Sequence, residues 1–226
     1  MLERVLEPEV MDSEAEAVDY DSMDHSDVNR RFVADLINAG ACLGDVLDLG
    51  TGTALIPIEL CQLSAEARVT GVDAAAPMLR IGRQNVARSG LADRIELARA
   101  DAKHLPYGDG RFLTVMSNSI VHHIPEPLRV LQEACRVCAA GGSLFFRDLL
   151  RPVDDTTLAH LVETYAAGAN EQQREMFANS LHAALTLAEI RELVAMLGFQ
   201  PSTVQATSDR HWTWSATLPS LATVVP

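Results

Sequence analysis

Apolar residues along this chain follow two alternating rhythms. Short runs with little polar interruption recur at Val46–Leu49, Val69–Val72, Ile95–Leu97, Phe112–Met116 and Leu144–Phe146. Between them lie stretches whose apolar residues stand three and four apart, the spacing of one helix face. These are Phe32, Val33, Leu36 and Ile37 after Ser26, then Leu55 to Leu63, then a segment opened by Pro77, then Pro127 to Cys138 before Gly141-Gly142. Ser26 is placed to cap its helix and Gly40 to close it. Pro77 suits a first helical turn, where its missing N–H costs nothing. Short strands apolar on both faces, alternating with helices, predict an α/β fold with a parallel sheet covered on both sides.

Residues 152–185 break the rhythm. Two helical patterns follow one another there, Leu158, Leu161, Val162 and Tyr165, then Met176, Phe177, Leu181 and Leu185, with no strand between. This reads as a helical insertion that covers the open edge of a site. Thr186 and Glu189 form a capping-box pattern for a further helix, with Leu187, Ile190, Val194 and Leu197 inward and Gly198 at its end. Two strand-like segments close the chain, Phe199–Ala206 and Trp212–Leu218, joined by Ser208-Asp209-Arg210. The second alternates, with Trp212, Trp214 and Ala216 on one face and Thr213, Ser215 and Thr217 on the other. So short a connection makes an antiparallel pair.

Composition narrows the function. The 226 residues are 48% hydrophobic, enough for a core, and carry a net charge of -13. Such a surface repels phosphate backbones and anionic lipid, so nucleic acid and membrane are not expected as partners, and a small molecule is. The acidic first residues do not read as a signal peptide, and no run approaches the roughly 20 apolar residues of a membrane span. Cys42, Cys61, Cys135 and Cys138 are too few and scattered for a disulfide scaffold, which fits a cytoplasmic protein.

The chemistry starts at Asp48-Leu49-Gly50-Thr51-Gly52-Thr53-Ala54, where a buried strand turns into a helix through small residues. Glycines let a ligand approach the backbone, and the helix start offers free N–H groups. A dinucleotide fingerprint wants a small third residue where this chain has Leu55. Together with Asp73, Asp101-Ala102, Ser117-Asn118-Ser119-Ile120 and the terminal hairpin, the loop resembles the Rossmann-like (class I) S-adenosylmethionine-dependent methyltransferases, from about Tyr20 to the end of the chain.

That resemblance implies a three-layer, Rossmann-like fold with a seven-stranded, mostly parallel sheet and the last strand antiparallel. It implies one methyltransferase domain over residues 1–226, with an N-terminal helical segment at 1–40 and the helical lid at 152–185. The cofactor is expected to be S-adenosylmethionine, with S-adenosylhomocysteine as product and a small-molecule methyl acceptor. Gly50 and Gly52 would pass beneath the methionine part, with Asp48 positioning its amino group. Asp73 would accept from both ribose hydroxyls, Asp101 from the adenine amine, and the Ala102 N–H would reach a ring nitrogen. Asn118 would lie beside the sulfonium. Thr51, Ala74, Met78 and Ser119 complete the implied cofactor set, and Ala54, where many members carry glycine, is expected to cost little. Tyr20 reads equally as a cover over the cofactor or as an ordinary packing residue.

Other residues leave alternatives open. His122 and His123 follow the fourth strand, where open α/β sheets bind substrates, and could accept a proton. Methyl transfer also proceeds by holding the nucleophile at near-attack distance, so packing on the cofactor or capping the next helix competes with a base role. Arg147, Asp148 and Arg151 end the fifth strand as acceptor contacts or as a salt-bridged loop, and Asp209, Arg210 and His211 read as a solvated turn. Tyr165, Arg174 and Phe177 are the acceptor-side candidates on the insertion. Cys135-x-x-Cys138 continues the spacing of Leu128 and Leu131 and reads as core, and no metal site is expected. Beside turnover stand a cofactor-binding sensor or partner subunit, a nicotinamide-dependent oxidoreductase, and another S-adenosylmethionine reaction on the same scaffold. A monomer or a homodimer fits equally.

Overall fold

In the computed structural model of the chain, the described residues are 2–7, 13–23, 26–41 and 43–220. Cys42 lies outside them. Helix α1 spans Glu14–Ser22 and α2 Ser26–Asn38. Then come β1 (Asp45–Leu49), α3 (Leu55–Leu63), β2 (Arg68–Asp73), α4 (Ala76–Ser89), β3 (Ile95–Arg99) and β4 (Phe112–Asn118). A 3₁₀ turn at Val121–His123 leads to α5 (Pro127–Val137) and β5 (Cys138–Leu149). The insertion is α6 (Asp155–Tyr165) and α7 (Glu171–Ala183), followed by α8 (Leu187–Met196), β6 (Val204–Ala206) and β7 (His211–Thr217).

The strands hydrogen-bond in the order β3-β2-β1-β4-β5-β7-β6. Strand β1 pairs parallel with β2 and with β4, and β2 with β3, while β6 and β7 are antiparallel. This is the expected seven-stranded sheet with its antiparallel ending.

Three details depart from the sequence reading. The first of the two closing strands, expected from Phe199, is only Val204–Ala206, because Pro201–Thr203 form a 3₁₀ turn ahead of it. Residues Gly141-Gly142 lie inside β5, because that strand begins at Cys138, where α5 ends one residue earlier than expected. A side chain at Gly142 would sit 2.8 Å from the carbonyls of Ala139 and Leu113, so only glycine fits there. In β7 the alternation fails at Thr213, which is buried beside the two tryptophans. Its hydroxyl accepts from Arg147 at 2.9 Å and meets Thr207 Oγ1 at 2.8 Å, which replaces its hydration.

The chain forms two compact units. One holds the described residues of Met1–Glu9 with Ser119–Leu128 and Arg147–Trp214; the other holds those of Val10–Asn118 with Arg129–Phe146 and Ser215–Pro226. In the larger unit, Phe32, Val33, Leu36, Val46, Leu60, Val69 and Met116 form one buried cluster with Phe145. Burial of each such side chain contributes about 1.5–3 kcal/mol. Cys61 is buried in that cluster, and burial raises the Cys135 and Cys138 thiols to about 12 and about 11. In the other unit α6 and α7 pack through Leu161, Val162 and Leu181 against Leu149, with Phe177 partly buried beside them. Both halves of the Thr186–Glu189 capping box are formed at α8.

Candidate active site

The glycine loop lies in the larger unit, between β1 and α3. Gly50 and Thr51 both donate their N–H to Val72 O, at 2.8 and 3.0 Å, so the loop hangs on the end of β2. Gly71 in β2 makes this possible, since a side chain there would meet Thr51 Cβ at 2.9 Å. Gly50 and Gly52 have φ of 70° and 54°, and Ala54 follows at 65°. Ala54 is therefore left-handed, a conformation that costs a residue with a Cβ roughly 1–2 kcal/mol. The substitution for glycine is less neutral than its small size suggests.

Asp73 ends β2 with both oxygens engaged. Oδ2 accepts from the Gly52 N–H at 2.9 Å and Oδ1 from the Ala75 N–H at 2.8 Å. Asp48, on β1, is buried. Burial first, and Asp73 as well, push its carboxyl up to about 7, with Thr51 pulling the other way. Among the described residues, none of the groups that set its ionisation is cationic. Tyr20 of α1 faces the same loop: a side chain on Gly52 would stand 3.9 Å from its Cε1. Burial, Asp73 and Asp48 raise its phenol to about 12, so it stays protonated. Ala17, Ala75, Met78 and Ile81 pack with Tyr20, which binds α1 to α4. Asn85 adds donations to Asp21 at 2.9 Å and to Thr53 O at 3.1 Å.

After β3, Asp101 Oδ1 accepts from the Lys103 N–H at 2.9 Å and pairs with Lys103 Nζ at 3.2 Å. Ala102 follows it in the same loop, and Ala74 accepts from Arg99 Nε at 2.9 Å. Asn118 is the last residue of β4.

The smaller unit holds a second polar cluster. Ser119 stands at φ 59° and donates its N–H to Arg147 O at 2.9 Å. The buried Asp148 accepts from the N–H of Val121 at 2.5 Å, of His122 at 3.3 Å and of Leu149 at 2.6 Å. Its Oδ1 lies 2.5 Å from His122 Nδ1. Burial works against both charges, but their mutual attraction wins: the Asp148 carboxyl is lowered and the His122 imidazole raised. The other His122 nitrogen, Nε2, stands 3.5 Å from Glu7 Oε1, and His123 Nδ1 stands 3.1 Å from the same oxygen. Ser180 of α7 donates to that oxygen at 3.0 Å. Arg4 donates to the carbonyls of Ala183 at 2.7 Å, His122 at 3.2 Å and Ile124 at 3.1 Å. Neither Glu7 nor Arg4 carries a sequence signal, because the partners of each lie more than a hundred residues away.

Arg151 is buried, paired with Glu189 at 2.6 Å, and its Nε and Nη1 have no hydrogen-bond partner among the described residues. Tyr165 donates to Asp209 at 2.7 Å, and Arg210 stacks on its ring at 3.3 Å. The terminal turn is thus a docking point for α6 rather than a freely solvated loop. His211 is pushed down to about 4, by burial and then by Arg210 and Arg147. Arg174 bonds within the helical pair, to Glu163 at 2.9 Å and Ala166 O at 3.3 Å. Phe177 packs in the α6–α7 cluster.

Comparison with known proteins decides the family. Residues 46–142 match the family described as a methyltransferase domain. A phosphatidylethanolamine N-methyltransferase from Cereibacter sphaeroides is 39% identical over 53% of this chain and 56% of its own length. A malonyl-[acyl-carrier protein] O-methyltransferase from Geobacter sulfurreducens is 32% identical over 81% of this chain and 67% of its own. The chain belongs to the class I S-adenosylmethionine-dependent methyltransferases. It spans about half the length of the first curated relatives it matches. The crystal structure of an S-adenosylmethionine-dependent methyltransferase from Aquifex aeolicus shares the fold, with a TM-score of 0.68, 16% identity, and coverage of 91% of this chain and 98% of that one.

The family's cofactor is S-adenosylmethionine, with S-adenosylhomocysteine as product. The residues present fit it. The cofactor brings an ammonium and a sulfonium, and this methyltransferase keeps a buried carboxyl, Asp48, beside a second one with no cationic side chain setting its charge. The bare backbone at Gly50 and Gly52 and the oriented Asp73 suit a cationic amino acid joined to a diol. Asp48, Gly50, Thr51, Gly52, Asp73, Ala74, Met78 and Tyr20 all belong to the larger unit, as do Asp101, Ala102 and Asn118; Ser119, Arg147, Asp148, Tyr165, Arg174, Phe177 and the histidines belong to the smaller. Among the described residues no helix is long and apolar enough to cross a membrane.

Proposed function

We propose that this methyltransferase moves a methyl group to a small-molecule acceptor, holding the donor in the seat formed by the glycine loop. The observation that carries the reading is the carboxyl pair of Asp48 and Asp73 beside that loop, with Asp48 buried and raised to about 7. The donor, when bound, supplies an electrophilic methyl on a sulfonium.

Asp48 gives the amino group its counter-charge, directly or through water. Asp73 turns its remaining lone pairs to the ribose diol, since backbone N–H groups fix both oxygens. Both Lys103 contacts of Asp101 fall on Oδ1, which leaves Oδ2 for the adenine amine. Ala102 offers its N–H to a ring nitrogen, Asn118 borders the reacting centre with Ser119, and Tyr20 covers the loop with Ala74 and Met78 beneath it. The net charge of -13 and the relatives' acceptors both support a small molecule over nucleic acid.

Helices α6 and α7 act as the lid, in a single methyltransferase domain whose N-terminal helical segment supplies Tyr20. Tyr165 is its exposed contact, while Arg174 and Phe177 brace the pair from within. Arg147 is held by Thr213 and Asp148 by three backbone N–H groups, so both shape the acceptor side by holding backbone in place. Catalysis by positioning suffices for a neutral nucleophile. His122 and His123 direct their nitrogens at Asp148 and Glu7, and in this reading they support the site instead of taking the acceptor's proton. Cytoplasmic placement and a monomer or homodimer complete the proposal.

Calorimetry with S-adenosylhomocysteine, paired with an assay for its formation from S-adenosylmethionine and a metabolite pool, tests it. Binding together with turnover is expected. Binding without turnover across the pool would make the chain a sensor or partner subunit, and binding of NAD in its place would overturn the cofactor.

A further inference from the structure

Glu7, His122 and His123 present three donor atoms to one point. Glu7 Oε1 lies 3.5 Å from His122 Nε2 and 3.1 Å from His123 Nδ1, and the three ligand atoms all lie within 4.8 Å of one another. An ion bound at about 2.0–2.2 Å to nitrogen and oxygen holds neighbouring donors about 3–3.5 Å apart. Both contacts to Glu7 already have that separation. The nitrogens also lack a better use: His123 Nδ1 is buried and has no aligned hydrogen-bond partner among the described residues.

The surroundings match those of a bound ion. His122 is locked through its other nitrogen by Asp148 at 2.5 Å, which aims Nε2 toward Glu7, where an ion would displace a proton. Metal-ligating histidines are typically held in this way by a carboxylate, which fixes ring and tautomer. Glu7 is oriented in turn by Ser180 at 3.0 Å. The outer residues that would orient the ligands are therefore in place. The His122 and His123 rings lie tilted, with centroids 4.1 Å apart, and the third pair of ligand atoms stands within 4.8 Å.

We propose that Glu7, His122 and His123 form a binding site for one divalent first-row transition ion, fastening residues 2–7 to the 3₁₀ turn. Two imidazoles and a carboxylate select zinc, iron(II), cobalt(II) or nickel(II) over magnesium and calcium, which take oxygen. The inference is independent of the cofactor seat, which lies in the other unit. It also removes His122 as a base, since the ion takes the lone pair.

Chelator-treated full chain is titrated with zinc(II) by calorimetry and with cobalt(II) by visible absorption. One ion per chain is expected, with ligand-field bands of a nitrogen–oxygen site and no thiolate charge-transfer band. Glu7→Gln and His123→Ala should each weaken zinc at least about 100-fold, beyond the roughly 10–100-fold that outer-shell changes cost. Ser180→Ala should fall inside that smaller range. His123 and Glu7 are partly exposed, so their variants keep the test open if changes at the buried His122 prevent folding. A chain that takes up no zinc, one whose binding is unaltered by both ligand variants, or a thiolate band with cobalt overturns the site. The first of these outcomes would leave a proton, shared between imidazole and carboxylate, as the tie.

Discussion

The two units treat buried charge in opposite ways. In the smaller one, Asp148 is satisfied by three backbone N–H groups and an imidazole, so the protein supplies its own counter-charge. In the larger one, Asp48 is buried beside Asp73 and pushed up to about 7, so the protein keeps an anion in waiting. The first arrangement secures a fold, because each group is compensated before any ligand arrives. The second stores unfavourable electrostatics that a cationic ligand would relieve, which is the basis of the proposed donor seat. Burial is the same in both; what differs is who provides the partner.

The contrast can be broken at several points. The largest effect is expected at Asp148→Ala, which strands a buried imidazole and three N–H donors, and should lower the unfolding free energy by about 3–5 kcal/mol in a urea titration. A loss below about 1 kcal/mol would mean that this unit is not held by its own charges. Asp73→Ala should weaken S-adenosylhomocysteine at least about tenfold by calorimetry, since each charge-assisted bond contributes roughly 1.5–3 kcal/mol. An unchanged affinity in a folded variant removes Asp73 from the seat.

Asp48 sharpens the comparison through pH. Its folded pKa, about 7, lies above the ordinary carboxyl value of 3.8, so between these values the folded state holds the extra proton. Stability from this group therefore falls as pH rises from about 4 to about 7. Ligand affinity runs the other way, because the ammonium needs the ionised form. S-adenosylhomocysteine should bind about tenfold more weakly at pH 6 than at pH 8, each pH unit below the pKa being a factor of ten. Asp48→Asn should bind weakly with a flat profile and be more stable than the parent at pH 8. A parent profile as flat as the variant's would place the charge elsewhere. The smallest structural effect is expected at Tyr165→Ala, an exposed contact worth at most about 1 kcal/mol of stability. Acceptor turnover should change severalfold while donor affinity holds within about twofold; unaltered turnover would count against the lid.

The same contrast explains what could be read from residues alone. The glycine loop, Asp48, Asp73 and Asp101 sit at successive strand ends, so local spacing announces them, and the strands between follow from apolar runs. Glu7 and Ser180 lie 173 residues apart and meet only after folding, so no spacing could pair them. Asp148 read equally as an acceptor contact or as part of a salt-bridged loop, because its place at a strand end is visible while its four partners are not. The length of β5 was hidden for another reason: Gly141-Gly142 normally punctuates, and here the close approach of Leu113 and Ala139 requires glycine within a strand. Ala54 showed its size but not its backbone, whose φ of 65° carries the strain.

Arg4 has a consequence for how the chain is made. It donates to Ala183 O, 179 positions later in the sequence. At a synthesis rate of about 5–20 residues per second, roughly ten to forty seconds separate the two on the ribosome. The histidines and the carbonyls of His122 and Ile124 are made first, and Ser180 and the Ala183 carbonyl complete the set only about sixty residues later. The larger unit's glycine loop and its first four strands are complete long before. Nascent chains halted between residues 150 and 180 should therefore expose residues 2–7 to protease more readily than full-length chains do, since Ser180 and Ala183 are the contacts they lack.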